Sequence, residues 1–151
     1  MNLIDPDRSD SGRGSSRRRE LAEEETSGRI IGAFYHVYTT LGFGFLESVY
    51  VKSLEITLTK LGLFVQREVL FDVFFEGERV GTHRADMIVE RKVVVEVKAS
   101  HTLADFHQRQ LLNYLTALDL DLGMLLHFGP NAKFYRVLGR RRPRRARSDP
   151  G

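Results

Sequence analysis

The chain has 151 residues, enough for one domain with a proper core and too few for two. A hydrophobic fraction of 42% supports a packed interior, and 28% charged residues favour a water-soluble surface. The absence of cysteine excludes a disulfide scaffold, a thiol nucleophile, a thiolate-held zinc and an iron–sulfur cluster. No apolar run opens the chain as a secretory signal would, and no stretch approaches the roughly 18–20 apolar residues of a membrane span. A soluble, single-domain, cytoplasmic protein is expected.

Residues 1–20 are mostly Ser, Gly, Arg and Asp with little to bury, and are expected to be disordered. Residues 21–138 then form the domain. Ile30, Ile31, Phe34, Val37, Tyr38 and Leu41 recur at helical spacing and predict an amphipathic helix ending at Gly42. A short Gly42-Phe43-Gly44 break leads to a second helix over 45–61, with Gly62 placed as its left-handed cap. Residues 64–75, rich in Val and Phe, read as a strand that turns at Glu76-Gly77-Glu78. The next strand, over 79–89 with a break near Arg84, turns at Glu90-Arg91-Lys92 into a strand over 93–98. Thr102 and Asp105 have the spacing of a capping box for a helix over 103–118. Strands over 122–128 and 133–138 follow, divided by Gly129-Pro130-Asn131. This order predicts an α/β fold, one mixed sheet flanked by helices.

The net charge of +3 is unevenly placed. Residues 1–26 hold five Arg against seven acids, residues 27–138 balance twelve bases with twelve acids, and residues 139–151 hold six Arg against one Asp. The expected disordered tail at 139–151 thus carries Arg140, Arg141, Arg142, Arg144 and Arg145. Such a tail can condense onto nucleic-acid phosphates, be drawn to an acidic membrane surface, or simply keep the chain in solution.

The strand pair around Asp86 and Val93-Val94-Val95-Glu96-Val97-Lys98 carries the most chemistry. Side chains alternate, so Val93, Val95 and Val97 form one face while Glu96 and Lys98 share the other. A hairpin brings Asp86 beside Glu96. Two close carboxylates repel unless a cation lies between them, and hard oxygen donors suit Mg²⁺ or Mn²⁺. A neighbouring lysine can act on an attacking water or on charge developing at a phosphate. An ordinary Glu–Lys pair on a surface hairpin has the same spacing.

Glu47 falls on the apolar stripe of the second helix with Tyr50, Val51, Leu54, Leu58 and Leu61. A carboxylate there is unfavourable without a partner or cation, although a first-turn position also suits a helix N-terminus. His107, Gln110 and Tyr114 share a face of the third helix with Leu111, either as a polar rim or as groups that hold the lysine, a water or a phosphate. His83, His101 and His107 fit no standard zinc spacing.

These motifs resemble a known family. Gly44-Phe45-Leu46-Glu47-Ser48-Val49-Tyr50 is similar to the signature of the GxxExxY proteins, a branch of the PD-(D/E)XK nuclease superfamily. The likeness continues through Leu41-Gly42, Arg84-Ala85-Asp86, Val95-Glu96-Val97-Lys98-Ala99, the His107 to Leu115 segment and Gly123 to Gly129. Many relatives have Pro at the position of Phe43 and His at that of Tyr38. The resemblance implies an αβββαβ core and a Mg²⁺-dependent nuclease acting on DNA. It implies that Glu47, Asp86 and Glu96 hold the metal, that Lys98 assists the attacking water, and that Gln110 and Tyr114 orient the site. The alternative is a nuclease-fold binding module without turnover, for nucleic acid or a protein partner. The oligomeric state is not legible.

Overall fold

The computed structural model describes residues 11–139. In chain order it contains α1 (Ser11–Leu41), α2 (Glu47–Lys60), β1 (Val65–Phe75), β2 (Glu78–Val89), β3 (Val93–Lys98), α3 (Phe106–Leu118), β4 (Leu122–Phe128) and β5 (Ala132–Leu138). The strands lie side by side in sequence order. All neighbours are antiparallel except β3 and β4, whose parallel pairing requires a crossover that α3 provides. This is the expected mixed sheet flanked by helices.

Both faces of the sheet are covered. Ile30, Phe34 and Val37 of α1 and Tyr50, Leu54 and Leu58 of α2 pack on Met87, Val93, Val95, Val97, Met124, Leu126 and Phe128. On the opposite face Leu111 and Leu115 of α3 pack on Val94, Ile88, Phe71 and Leu125. The valine alternation of β3 therefore serves two layers. β4 is buried along its whole length, as a central parallel strand should be, which explains its nearly continuous apolar run. Gly123 allows α3 to sit close, since a Cβ there would lie 2.8 Å from Leu111 Cγ.

The two predicted hairpin turns form with left-handed backbone at both central residues. Glu76 and Gly77 have φ of 50° and 80°, and Glu90 and Arg91 both have 55°, the conformation that matches strand twist in two-residue turns. β2 runs unbroken through Arg84, so the expected interruption is absent.

Two boundaries differ from expectation. α1 begins at Ser11, so residues 11–20 belong to a helix rather than to a disordered tail. Arg and Glu in this stretch favour helix without burial, Ser16 Oγ donates to Glu20 Oε1 one turn on, and Arg19 lies 3.6 Å from Asp121. α3 begins at Phe106, and Asp105 makes no side-chain capping bond. The Thr102–Asp105 capping box does not form; instead Ser100 Oγ donates to the Thr102 carbonyl and the segment becomes a loop. Residues 1–10 and 140–151, including the arginines at 140, 141, 142, 144 and 145, lie outside the described residues.

Candidate active site

The β2–β3 ladder consists of Met87 with Val95, Ile88 with Val94 and Val89 with Val93. At the next position two carboxylates take over. Asp86 N–H donates to Glu96 Oε1 at 3.1 Å, and Val97 N–H donates to Asp86 Oδ2 at 2.8 Å. Each acid thus satisfies a backbone donor on the other strand, where regular pairing has ended.

Glu96 is buried, with 7% of its surface exposed. Burial, followed by the negative charge of Asp86, pushes its pKa up to about 8, while Lys98 opposes the shift. Proximity of the Asp86 side chain also favours the protonated form of Glu96. Lys98 lies two residues on, on the same face of β3.

Glu47 occupies the first turn of α2. α2 covers the face opposite α3, yet the Glu47 carboxyl is within electrostatic reach of the pair. Its pKa is raised by crowding among packed atoms and by Asp86, and lowered by Lys98. The first turn of α2 therefore stands at the sheet end, where the two faces meet. From α3, Tyr114 has its pKa raised by burial and then by Glu96 and Asp86. His107 has its pKa lowered by burial and by Lys98, against a hydrogen bond to the Gln110 side-chain oxygen. Asp86 thus acts on Glu96, Glu47 and Tyr114, Lys98 acts on Glu96, Glu47 and His107, and Gln110 adjoins His107.

The sequence motif around Glu47 acquires a local reason. Gly44 adopts φ of 114° and Gly42 φ of 71°, so the backbone bends sharply between α1 and α2. Tyr50, fully buried, closes that bend: its hydroxyl donates to the Gly42 carbonyl at 2.6 Å and accepts the Phe45 N–H at 3.1 Å. Its ring stacks on Phe128 at 4.2 Å. The glycine makes the bend, the tyrosine locks it, and the acid between them is carried to the site.

His127 was not singled out by sequence reasoning. It pairs with Lys98 across β3 and β4, is buried, and holds Nε2 2.6 Å from the Ser100 carbonyl oxygen. The only signal was one polar residue in the apolar run of β4. The other histidines do not gather with His107: His83 stacks on Phe71 and His101 contacts Phe43.

Among the described residues, no three His, Asp or Glu side chains stand close enough to form a metal-binding group. A buried and a half-buried carboxylate side by side nonetheless fit a hard divalent cation that keeps most of its waters, because such an ion takes one or two carboxylates and can displace a proton. Asp86 and Glu96 are the residues that would hold it.

A profile of the PD-(D/E)XK nuclease superfamily matches residues 24–137. The chain belongs to this superfamily. The match begins within α1 and ends in β5, so the PD-(D/E)XK region takes in the whole sheet and the carboxylate pair. Among solved structures the chain is similar to the crystal structure of SSO0001, with a TM-score of 0.50 and 24% identity over 81% of this chain and 61% of that one. The chain thus spans less than two thirds of that protein's length, and the likeness concerns the fold. No curated protein matches the chain. Among the described residues no helix is long and apolar enough to cross a membrane.

Proposed function

We propose that this PD-(D/E)XK chain is a metal-dependent nuclease of the GxxExxY type that hydrolyses phosphodiester bonds in DNA. The observation that carries the reading is the Asp86–Glu96 pair, which replaces the backbone ladder at the end of β2 and β3 with Lys98 on the same face. Two acids held this close repel one another, and a cation bound between them would relieve the repulsion. Asp86 and Glu96 would hold Mg²⁺ or Mn²⁺, with Glu47 binding it directly or through water. When bound, such an ion supplies Lewis-acid polarisation of the scissile phosphate.

The chain's own groups do the rest. Lys98 directs its ammonium toward the attacking water or the phosphate oxygens, stabilising negative charge that grows in the transition state. Tyr114 and Gln110 orient these partners, Gln110 by fixing the His107 ring. The C-terminal arginines at 140, 141, 142, 144 and 145 add sequence-independent affinity for the phosphate backbone.

A second reading, a nuclease-fold module that binds nucleic acid without turnover, is favoured by Glu47 not completing a three-ligand set. Cleavage assays on linear, circular and single-stranded DNA, with Mg²⁺ or with EDTA, separate the two. The nuclease reading expects Mg²⁺-dependent cleavage that falls about 10²- to 10⁴-fold in Lys98→Met, with DNA binding retained. Binding without cleavage under every condition would select the module.

A further inference from the structure

Large apolar side chains stand exposed beside Glu47 and His107 in the chain. Phe43 and Phe45 are 47% and 48% exposed, Leu46 77% and Phe106 61%. Phe43, Phe45 and Leu46 lie in the loop between α1 and α2, and Phe106 opens α3 at the end of a second loop. One leads directly into Glu47, and the other runs from Lys98 to α3, whose His107 feels the charge of Lys98. The loops touch through Phe43 and His101, whose rings lie 6.1 Å apart nearly edge to face. Phe106 covers His107 at 4.2 Å.

The exposure does not come from a slack loop. The Tyr50 hydroxyl fastens the bend at Gly42 and at Phe45, and the Tyr50 ring is itself packed against Phe128. The fold thus holds aromatic rings in water at fixed positions, where burying each would be favourable.

We infer that this rim is a stacking platform for unpaired bases, so that DNA reaches the carboxylate pair as a single strand; the inference rests on the nuclease reading above. In a duplex the faces of the bases are covered by their neighbours, and apolar rings gain nothing from its phosphate exterior. An unpaired strand offers a π-face at every nucleotide, and each stacked ring strengthens binding without demanding a sequence. The rim lies on the loop that leads into Glu47 and at the end of the loop that leaves Lys98, so a strand stacked on it would be held against residues of the site.

The test is equilibrium binding of the full chain, by fluorescence anisotropy in EDTA, to a mixed-sequence single strand and to the blunt duplex made with its complement. Wild type should prefer the single strand. Phe43→Ala and Phe106→Ala should each weaken single-strand binding about five- to a hundredfold while leaving duplex binding unchanged. Phe43→Tyr should restore it, and keeps the test valid if an alanine variant fails to fold. Equal affinity for both probes, or equal losses on both, overturns the platform and assigns the rim to a protein partner. Cleavage with Mg²⁺ is read separately. A wild type that prefers single strands through these rings but never cuts ends the nuclease reading and leaves the platform. One that cuts both probes equally, with alanine variants unaffected, does the reverse.

Discussion

Asp86 and Glu96 exchange support across the point where β2 and β3 cease to pair: each carboxylate accepts a backbone N–H from the other's strand. The acids therefore belong both to the sheet and to the site. Each can be altered in charge while its acceptor oxygen is kept, and this makes their two roles separable.

The first prediction concerns pH. Glu96 is held at about 8 in the fold, against an ordinary value of 4.5. Between these values the folded chain binds more protons than the unfolded one, so this group's contribution to stability falls as pH rises. It is fully favourable below the ordinary value and lost by the time pH passes the raised one. Thermal melts in EDTA across that window should show wild type losing stability with rising pH. Glu96→Gln should be flatter and should melt above wild type at the alkaline end. Parallel slopes in the two proteins would mean that Glu96 is not the responsible group.

Asp86→Asn keeps an oxygen to accept the Val97 N–H but removes the charge that repels Glu96. Without metal it should melt above wild type. Added Mg²⁺ should reverse the order, because wild type gains stability by binding and the variant gains less. Melts of both proteins with Mg²⁺ and with EDTA check this. If Mg²⁺ shifts neither, the pair holds no cation.

Tyr50→Phe preserves the ring packed on Phe128 and deletes the hydroxyl that joins Gly42 to Phe45. A loss of about 1–3 kcal/mol is expected, since a buried hydroxyl's partners are left unmatched. That corresponds to a fall of very roughly 2–12 °C in melting temperature for a chain of this size. Faster amide exchange should be confined to the loop before Glu47. An unchanged melt with unchanged exchange there would show that the bend is held by its glycines alone.

Removing residues 140–151 tests the arginine tail. The truncated chain should bind DNA more weakly, and the slope of log affinity against log salt should become shallower, since each lost phosphate contact removes about 0.7–0.9 from its magnitude. Cleavage at saturating DNA should be unaffected. Equal slopes would assign the tail to solubility or another partner.

Much of this architecture was readable from periodicity. The β3 and β4 boundaries matched because Val93–Lys98 is rich in β-branched valine and alternates from Val95 on, and Leu122–Phe128 is a short apolar run bounded by turn residues. The proximity of Asp86 and Glu96 followed from hairpin geometry alone. Residues 11–20 were misread because their helix buries little, and apolar periodicity is blind to a helix made by propensity and charge pairing. Thr102 and Asp105 had the correct spacing for a cap, but Ser100 engages the Thr102 carbonyl and bends the chain away. The part played by Tyr50 was hidden for another reason. Its position on an apolar stripe announced burial, and nothing in spacing reveals that a buried hydroxyl reaches back to bridge Gly42 and Phe45.

That bridge has a mechanical consequence. The turn that bears Glu47 is fastened to the buried core, since the hydroxyl that shapes its approach belongs to a ring stacked on Phe128 at the end of β4. Loosening that turn means prising the ring from its neighbour. Glu47 is thus carried on a stiff bracket, mounted on a ring contact in the core rather than on the loop itself.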